Sequence, residues 1–169
     1  MNCINLNIQS VVKIRLNAMV LLNAGFTEQC AEAHNRLREK HGCPPLTLDS
    51  KLTKDAQEYA EFLAKVECFV HSSGDHGENM SLRVGFGKLN ITGEEVTNLW
   101  YSEIENYKYG DNVQMECGHF TQVVWKDTKK AGFGRAYTKD GRKIYVVGRY
   151  HPPGNYQGCC KLNVPRPIN

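Results

Sequence analysis

Two histidines and two glutamates are the residues of this chain whose chemistry suits metal binding or proton transfer: His71, Glu78, Glu103 and His119. Glu103 lies seven residues after Val96, on the apolar stripe of a predicted helix. A carboxylate there needs a cation, a metal ion or several hydrogen bonds as its partner. Two imidazoles and two carboxylates suit a borderline divalent ion such as zinc, and they suit an acid–base set equally well. Because the spacings match no local metal motif, a solvent-exposed Glu103 and purely structural histidines stay open as alternatives.

Other catalytic signatures are absent from the sequence, which has no Gly-x-Ser-x-Gly elbow, phosphate-binding loop or dinucleotide fingerprint. Cys117 lies two residues before His119. In a strand such residues share a face, so the spacing is compatible with a Cys/His nucleophile. A buried structural cysteine is the commoner case. We therefore assign no catalytic residue.

Helices are predicted to position these side chains in the first part of the chain. Thr27 is predicted to cap a helix over residues 28–41, which Gly42 ends, and Asp49 to cap a second helix. The predicted buried face of the second helix consists of Leu52, Ala56, Tyr59, Ala60, Leu63 and Val66. Glycine-rich residues 71–90 are predicted to be an irregular loop.

A third helix is predicted from a capping box formed by Thr92 and Glu95. Its apolar stripe consists of Val96, Leu99, Trp100, Ile104 and Tyr107. Strands are predicted beyond it, over residues 120–125, 132–138 and 143–150. Asp140-Gly141 between the last two is a strong hairpin signal. From Pro152 onward, four prolines indicate an extended segment that wraps over the core. Since helices precede strands, the pattern favours an α+β sandwich over a doubly wound sheet.

The length of 169 residues fits one domain with its own hydrophobic core, and 41% hydrophobic with 23% charged residues is a globular composition. We divide the chain into an N-terminal extension, residues 1–26, expected to be poorly ordered, and a domain over residues 27–169. Asn17 and Asn23 interrupt the apolar part of the extension, which disfavours a secretory signal. Asn2 is incompatible with N-myristoylation. A net charge of +3 is too small to indicate nucleic-acid binding.

Several motifs, in the same order along the chain, resemble those of the CAP superfamily of cysteine-rich secretory proteins, antigen 5 and plant pathogenesis-related class 1 proteins. The run Gly118-His119-Phe120-Thr121-Gln122-Val123-Val124-Trp125 resembles the first signature, and residues 145–156 resemble the second. Further matches are Ala33-His34-Asn35-x-x-Arg38, His71-Ser72, Gly77-Glu78-Asn79 and Trp100-Tyr101-x-Glu103-Ile104. The resemblance spans about residues 27–165. It is closest to the Golgi-associated plant pathogenesis-related type, from residues 40–46 and 125–130.

The resemblance implies a three-layer α-β-α sandwich in which His71, Glu78, Glu103 and His119 converge in one cleft. There the two histidines can hold a divalent metal such as zinc, and the glutamates orient them. Many secreted members have cysteines at the positions of Phe133 and Gly148, which this chain lacks. A disulfide between Cys68 and Cys117 is possible, and Cys159 and Cys160 are expected to act as small hydrophobic side chains.

The resemblance also implies a non-enzymatic function, the binding of lipid or sterol and of anionic membrane surfaces. Residues 126–143 carry a net charge of +5 on an otherwise slightly acidic chain. Their basic members form the expected membrane-binding patch: Lys126, Lys129, Lys130, Arg135, Lys139, Arg142 and Lys143. A protein-interaction module, including a homodimer, and a metal-dependent hydrolase or protease are the alternatives. We expect an intracellular protein peripheral to Golgi or other membranes, with secretion as the alternative.

Overall fold

A computed structural model describes residues 25–87 and 89–168, which form a mixed four-stranded sheet between two layers of helices. In chain order the elements are α1 (25–40), β1 (Thr47–Leu48), α2 (Ser50–Val66), β2 (Gly77–Val84), α3 (Gly93–Tyr101), α4 (Gly118–Val124), β3 (Lys130–Tyr137), β4 (Lys143–His151) and α5 (Cys160–Asn163). Two 3-10 turns, Ser102–Asn106 and Met115–Cys117, lie between α3 and α4. The predicted α-β-α sandwich is confirmed.

The sheet has the order β1-β3-β4-β2, so β2 is an edge strand. Strands β3 and β4 form the predicted antiparallel hairpin. At its turn Thr138 Oγ1 donates to Asp140 Oδ1 at 2.7 Å, and Gly141 adopts a φ of +71°, which glycine tolerates without strain. Strand β2 pairs antiparallel with β4, with Gly77 opposite Tyr150. Short β1 pairs parallel with β3.

Helix α2 covers one face of the sheet by itself. Asp49 caps it as predicted, because its Oδ1 accepts hydrogen bonds from the backbone of Lys51 and Leu52. Four predicted core positions of α2 are buried, namely Leu52, Ala56, Ala60 and Leu63, whereas Val66 is exposed. The helix lies directly on β3, where a Cβ atom at Gly132 would overlap the backbone of α2. Gly132 and Gly134 of β3 therefore permit the close approach of α2 to the sheet.

Helices α1, α3 and α4 cover the opposite face and enclose the larger core. Its members include Phe26, Trp100, Phe120, Phe133 and Tyr150, all almost completely buried. The capping box of α3 is confirmed, since Glu95 N donates to Thr92 Oγ1 at 3.1 Å and Thr92 N to Glu95 Oε2 at 2.7 Å.

Three local predictions are wrong. Thr27 does not cap α1, because residues 25 and 26 are already helical and its hydroxyl donates to Phe133 O. Residues 120–125, predicted as a strand, are mostly helix α4, so His119 lies in the first turn of a helix and does not begin a strand. Residues 71–90, predicted as a loop, contain β2, which its pairing with β4 holds extended.

The possible Cys68–Cys117 disulfide is not formed. All six cysteines in the described part of the chain are free, with Cys117 buried and Cys68 exposed. Burial raises the pKa of the Cys117 thiol, which also disfavours it as a nucleophile. Cys160 is buried in the core, as expected for a small hydrophobic side chain, and Cys159 packs against that core.

Most of the predicted N-terminal extension, residues 1–24, lies outside the described residues. Phe26, which the predicted boundary assigned to the extension, is buried in the core. None of the helices in the described ranges is long and apolar enough to span a membrane.

Candidate functional site

His71 and Glu78 form the first of two His–Glu pairs. His71 lies in the segment that follows α2, and its Nδ1 is 2.5 Å from Glu78 Oε1 at the start of β2. Ser72 donates to the same carboxylate from its backbone N–H (3.1 Å) and from its hydroxyl (3.0 Å). The His71 side chain is about two-thirds exposed and that of Glu78 is buried. The pair therefore presents an oriented imidazole to solvent.

Arg149 holds Glu78 from the neighbouring strand. Its Nη1 donates to Glu78 Oε2 at 2.6 Å, and both side chains are only 6% exposed. Nε lies 3.0 Å from Asp55 Oδ2 without hydrogen-bond geometry, and the guanidinium stacks on Tyr59 of α2. The sequence reasoning did not identify Arg149. A charged residue within the apolar run of β4 was the signal that could have found it.

Glu103 and His119 form the second pair. Glu103 Oε1 lies 2.6 Å from His119 Nδ1. Its Oε2 accepts hydrogen bonds from the backbone N–H groups of His119 (3.0 Å) and Phe120 (3.1 Å). Glu103 therefore fixes the imidazole and also satisfies free donors in the first turn of α4. The Glu103 side chain is about three-quarters buried, and these hydrogen bonds supply the partners that a buried carboxylate needs.

Edge strand β2 connects the two pairs, because Glu78 belongs to one and its neighbour Asn79 contacts the other. Successive side chains of a strand leave it on opposite faces. Glu78 accordingly meets Arg149 on the α2 face, whereas Asn79 reaches α4 and donates to His119 O at 3.1 Å. In the described ranges, no group of three or more His, Cys, Asp or Glu side chains is placed to hold one metal ion. The structure thus arranges the four predicted residues as two His–Glu pairs, which strand β2 links through Glu78 and Asn79.

The donor set suits an open metal site with few protein ligands. Each carboxylate occupies an Nδ1 atom, which leaves Nε2 as the coordinating nitrogen of His71 and of His119, and such carboxylate–imidazole pairs are typical behind metal-bound histidines. Two imidazoles fit zinc chemically, and water would complete the coordination. Metal binding at these histidines stays a prediction.

The motif Ala33-His34-Asn35-x-x-Arg38 has a structural role. Arg38 is completely buried and donates to five backbone carbonyl oxygens, including Val123 O (3.1 Å) and Trp125 O (2.8 Å) at the end of α4. Asn35 pairs with both backbone groups of Leu46. Arg38 therefore secures the C-terminal end of α4, as Glu103 secures its beginning.

Two buried histidines use both ring nitrogens for internal hydrogen bonds. His34 Nδ1 donates to Cys30 O (2.8 Å), and its Nε2 accepts from the Tyr150 hydroxyl (2.9 Å). His41 does the same with Pro165 O and the Tyr101 hydroxyl. Burial lowers the pKa of His34 to about 3 and lowers that of His41. Both residues are neutral structural groups at physiological pH.

The seven predicted membrane-binding cations do not form one surface. Lys130 begins β3, and Lys126 and Lys129 lie just before it. Lys139 and Arg142 lie at the hairpin turn, roughly 25 Å away along the eight-residue strand. Arg135 is not available, because it bonds to Ile91 O and stacks on Phe26. Lys130 pairs with Asp49, and Lys143 pairs with Glu67. Exposed cations therefore remain at two opposite ends of the sheet.

A three-layer sandwich with two carboxylate-backed histidines beside its edge strand defines a CAP-type domain. The model of the "CAP: Cysteine-rich secretory protein family" matches residues 31–150. The chain belongs to this family.

Relatives agree with that assignment. The chain is 43% identical over 135 residues to the human Golgi-associated plant pathogenesis-related protein 1, an alignment that covers 77% of this chain and 84% of the relative. It is 38% identical over 131 residues to pathogenesis-related protein 1A of Nicotiana tabacum, covering 75% of each chain. The solved structure of BmVAL-1 has the same fold, with a TM-score of 0.62 and 23% identity over 78% of this chain and 81% of that one.

Proposed function

We propose that this protein is a non-enzymatic lipid-binding protein that attaches to anionic membranes through the hairpin-turn end of its sheet. The turn surface consists of Val66, Phe69, Val84, Phe86, Lys139 and Arg142. The observation that carries the proposal is the presence of exposed apolar side chains beside exposed cations at this end. Phe86 is 97% exposed, and Val84 is 63% exposed. Such a combination is typical of surfaces that meet a membrane or another protein.

Specific contacts hold the parts of the turn surface together. Val84 is opposite Lys143 in the β2–β4 register, and Gly85 N donates to Arg142 O at 3.0 Å. Lys143 Nζ lies 2.6 Å from Glu67 Oε2, which draws the C-terminal end of α2 towards the turn. Val66 and Phe69, each about half exposed, flank Glu67. Apolar side chains from two elements therefore border one basic turn.

Apolar and electrostatic contributions are of similar size on this surface. Each cation near an anionic leaflet contributes about 1 kcal/mol. Full burial of a Phe or Val side chain contributes about 1.5–3 kcal/mol. Asp140, 3.9 Å from Arg142 Nε, and Glu67 reduce the electrostatic part. We therefore expect reversible binding that salt weakens without abolishing it.

Vesicle flotation tests the turn surface directly. Wild-type protein should float with phosphatidylserine-containing vesicles, and the double variant Lys139→Glu/Arg142→Glu should stay in the bottom fraction. The matched control is Lys126→Glu/Lys129→Glu, which changes the net charge equally at the opposite end and should float like the wild type. Phe86→Ser should weaken binding at high salt. Equal loss in the two double variants, or no flotation of the wild type, would reject the proposal.

The ligand class is a membrane phospholipid or sterol, bound at the surface. Two depressions on the surface of the described residues are lined mainly by polar side chains. One contains Asn112 and Gln114, and the other contains Glu32 and Arg36. We therefore do not place an acyl chain in either. Mass spectrometry of lipids extracted from vesicle-purified protein identifies the class. A protein that binds no lipid but co-purifies as a homodimer in size-exclusion chromatography would favour the interaction-module alternative.

The proposed location is intracellular, peripheral to the Golgi or other membranes, with secretion as the alternative. The name of the human relative, Golgi-associated plant pathogenesis-related protein 1, supports the first. Imaging of the tagged full chain beside a Golgi marker distinguishes the two. Recovery of the chain mainly from the culture medium would favour secretion.

A metal-dependent hydrolase is the second candidate, because carboxylates orient both site imidazoles. Proteins of this family are generally not classical enzymes. In this alternative His71 and His119 would hold zinc, which when bound supplies an activated water. Hydrolysis that survives repeated purification and disappears in His71→Ala would reverse the ranking. If the purified wild-type protein shows no hydrolysis with added zinc, the result supports the non-enzymatic function.

A further inference from the structure

Two histidines of this chain have no role in the pairs described above. The chain contains six histidines, all within the described residues. Two are buried with both ring nitrogens hydrogen-bonded, and two are paired with glutamates. The remaining two, His76 and His151, face each other with their ring centroids 6.0 Å apart and their planes at 79°.

The sheet register explains why these rings meet. Gly77 is opposite Tyr150 in the antiparallel β2–β4 ladder. His76 directly precedes β2 and His151 is the last residue of β4, so continuing this register by one step brings them opposite each other. Side chains opposite each other in such a pair project from the same face, with Cβ atoms about 4.5–5.5 Å apart. The strand register therefore brings the two imidazoles to the same end of the β2–β4 pair.

The Nδ1 atom of His76 is buried and has no hydrogen-bond partner among the described residues. A buried polar atom without a partner is costly, so such an atom indicates a missing ligand or water. His151 is exposed and His76 is partly exposed, which leaves the rings accessible from solvent. A partly exposed His–His pair with one unsatisfied nitrogen is a different arrangement from the glutamate-backed histidines.

We propose that His76 and His151 form a second binding site, for a divalent transition-metal ion of the zinc, nickel and copper class. Imidazole is a preferred ligand of these ions. With metal–nitrogen bonds of about 2.0–2.1 Å, two imidazoles on one ion have centroids about 5–6 Å apart. The observed 6.0 Å is within reach of that spacing after a small ring rotation. Water completes the coordination, and the site is independent of the proposed membrane function.

Neighbouring charges make this a site of modest affinity. Lys130 is opposite His151 on the β3 side of the ladder, and its positive charge opposes a bound cation. Its Nζ lies 3.1 Å from Asp49 Oδ2, which partly offsets that charge.

Calorimetric titration with Ni²⁺ at pH 7.5 tests the site. The full chain carries Cys68→Ser, to remove the exposed thiol, and His71→Asn with His119→Asn, to remove the glutamate-backed histidines. This protein should bind one Ni²⁺ ion. His76→Asn or His151→Asn should lower the affinity at least tenfold, because one ligand remains, whereas Ser73→Asn in the same loop should leave it unchanged.

Paramagnetic broadening of the histidine ring signals gives a second measurement that does not depend on variants. Ni²⁺ should broaden the signals of His76 and His151 before those of the two buried histidines. The proposal is wrong if the background protein binds no Ni²⁺, or if the His76→Asn/His151→Asn double variant binds it unchanged. If the His76 variant unfolds, the exposed His151→Gln variant decides the same question.

Discussion

The buried histidine of α1 predicts a specific loss of stability in mild acid. His34 is inaccessible to solvent, and burial lowers its pKa from 6.5 to about 3. In the unfolded chain the same imidazole takes up a proton as the pH falls below 6.5. The folded protein does not take up this proton until the pH approaches 3. The unfolded state therefore binds more protons in this window, and the free energy of unfolding decreases as the pH falls.

The size of this loss follows from the two pKa values. Each pH unit between 6.5 and 3 costs about 1.4 kcal/mol. Lowering the pH from 7.5 to 5.5 should therefore cost about 1.4 kcal/mol through His34 alone, which is roughly 3–6 °C in Tm for a domain of this size. Burial lowers the pKa of His41 too, so its contribution has the same sign. The measurement ends at pH 5.5 because Asp and Glu side chains in general take up protons at lower pH.

Thermal unfolding of the wild type and of His34→Gln at pH 7.5, 6.5 and 5.5 measures the effect. The glutamine variant will be less stable at every pH, because the hydrogen bonds to Cys30 and Tyr150 are disturbed. Its Tm should nevertheless depend less on pH, by the amount assigned to His34. His41→Gln should also reduce the pH dependence of Tm, because burial lowers the pKa of His41 as well. Identical pH slopes in the wild type and in His34→Gln would refute the reasoning.

Three further predictions concern packing, charge and thiol reactivity. Gly132→Ala should lower the free energy of unfolding by at least about 1–3 kcal/mol in denaturant unfolding, because the new methyl group overlaps the backbone of α2. Gly118→Ala should lower it by less than about 1 kcal/mol, because no atom of another segment would lie nearer than 3.7 Å to the new methyl group. Glu78→Gln should cost about 3–5 kcal/mol by leaving a buried arginine without its buried partner, while Asp55→Asn should cost under 1 kcal/mol; equal losses would contradict this assignment. In native protein, Cys68 should react with an alkylating reagent faster than every other described thiol, as mass spectrometry of the labelled peptides can check.

Local signals in the sequence were reliable where a few neighbouring residues decide the structure. Asp49 and the Thr92–Glu95 pair cap their helices because each acts on backbone groups within three residues. Asp140-Gly141 specifies the hairpin turn for the same reason. The motif resemblance identified the family and the three-layer fold. It also predicted the four residues that form the two His–Glu pairs.

Local patterns failed where distant contacts override them. The run Phe120–Trp125 is rich in aromatic and β-branched residues, and a short run of this kind does not distinguish a strand from a buried helix. Helix α4 forms there because Glu103 satisfies its first N–H groups and Arg38 its last carbonyls. Strand β2 likewise exists because β4 offers a complete antiparallel ladder to a glycine-rich segment.

The sequence by itself determined the helix caps, the hairpin, the family and the identity of the candidate ligands. Only the tertiary structure decided how those ligands are paired, that the basic residues separate to two ends of the sheet, and that His76 meets His151. The physical reason is that caps and turns depend on bonds between near neighbours. Ion pairs, surfaces and cross-strand pairs depend on register and burial, which arise only when distant segments pack together.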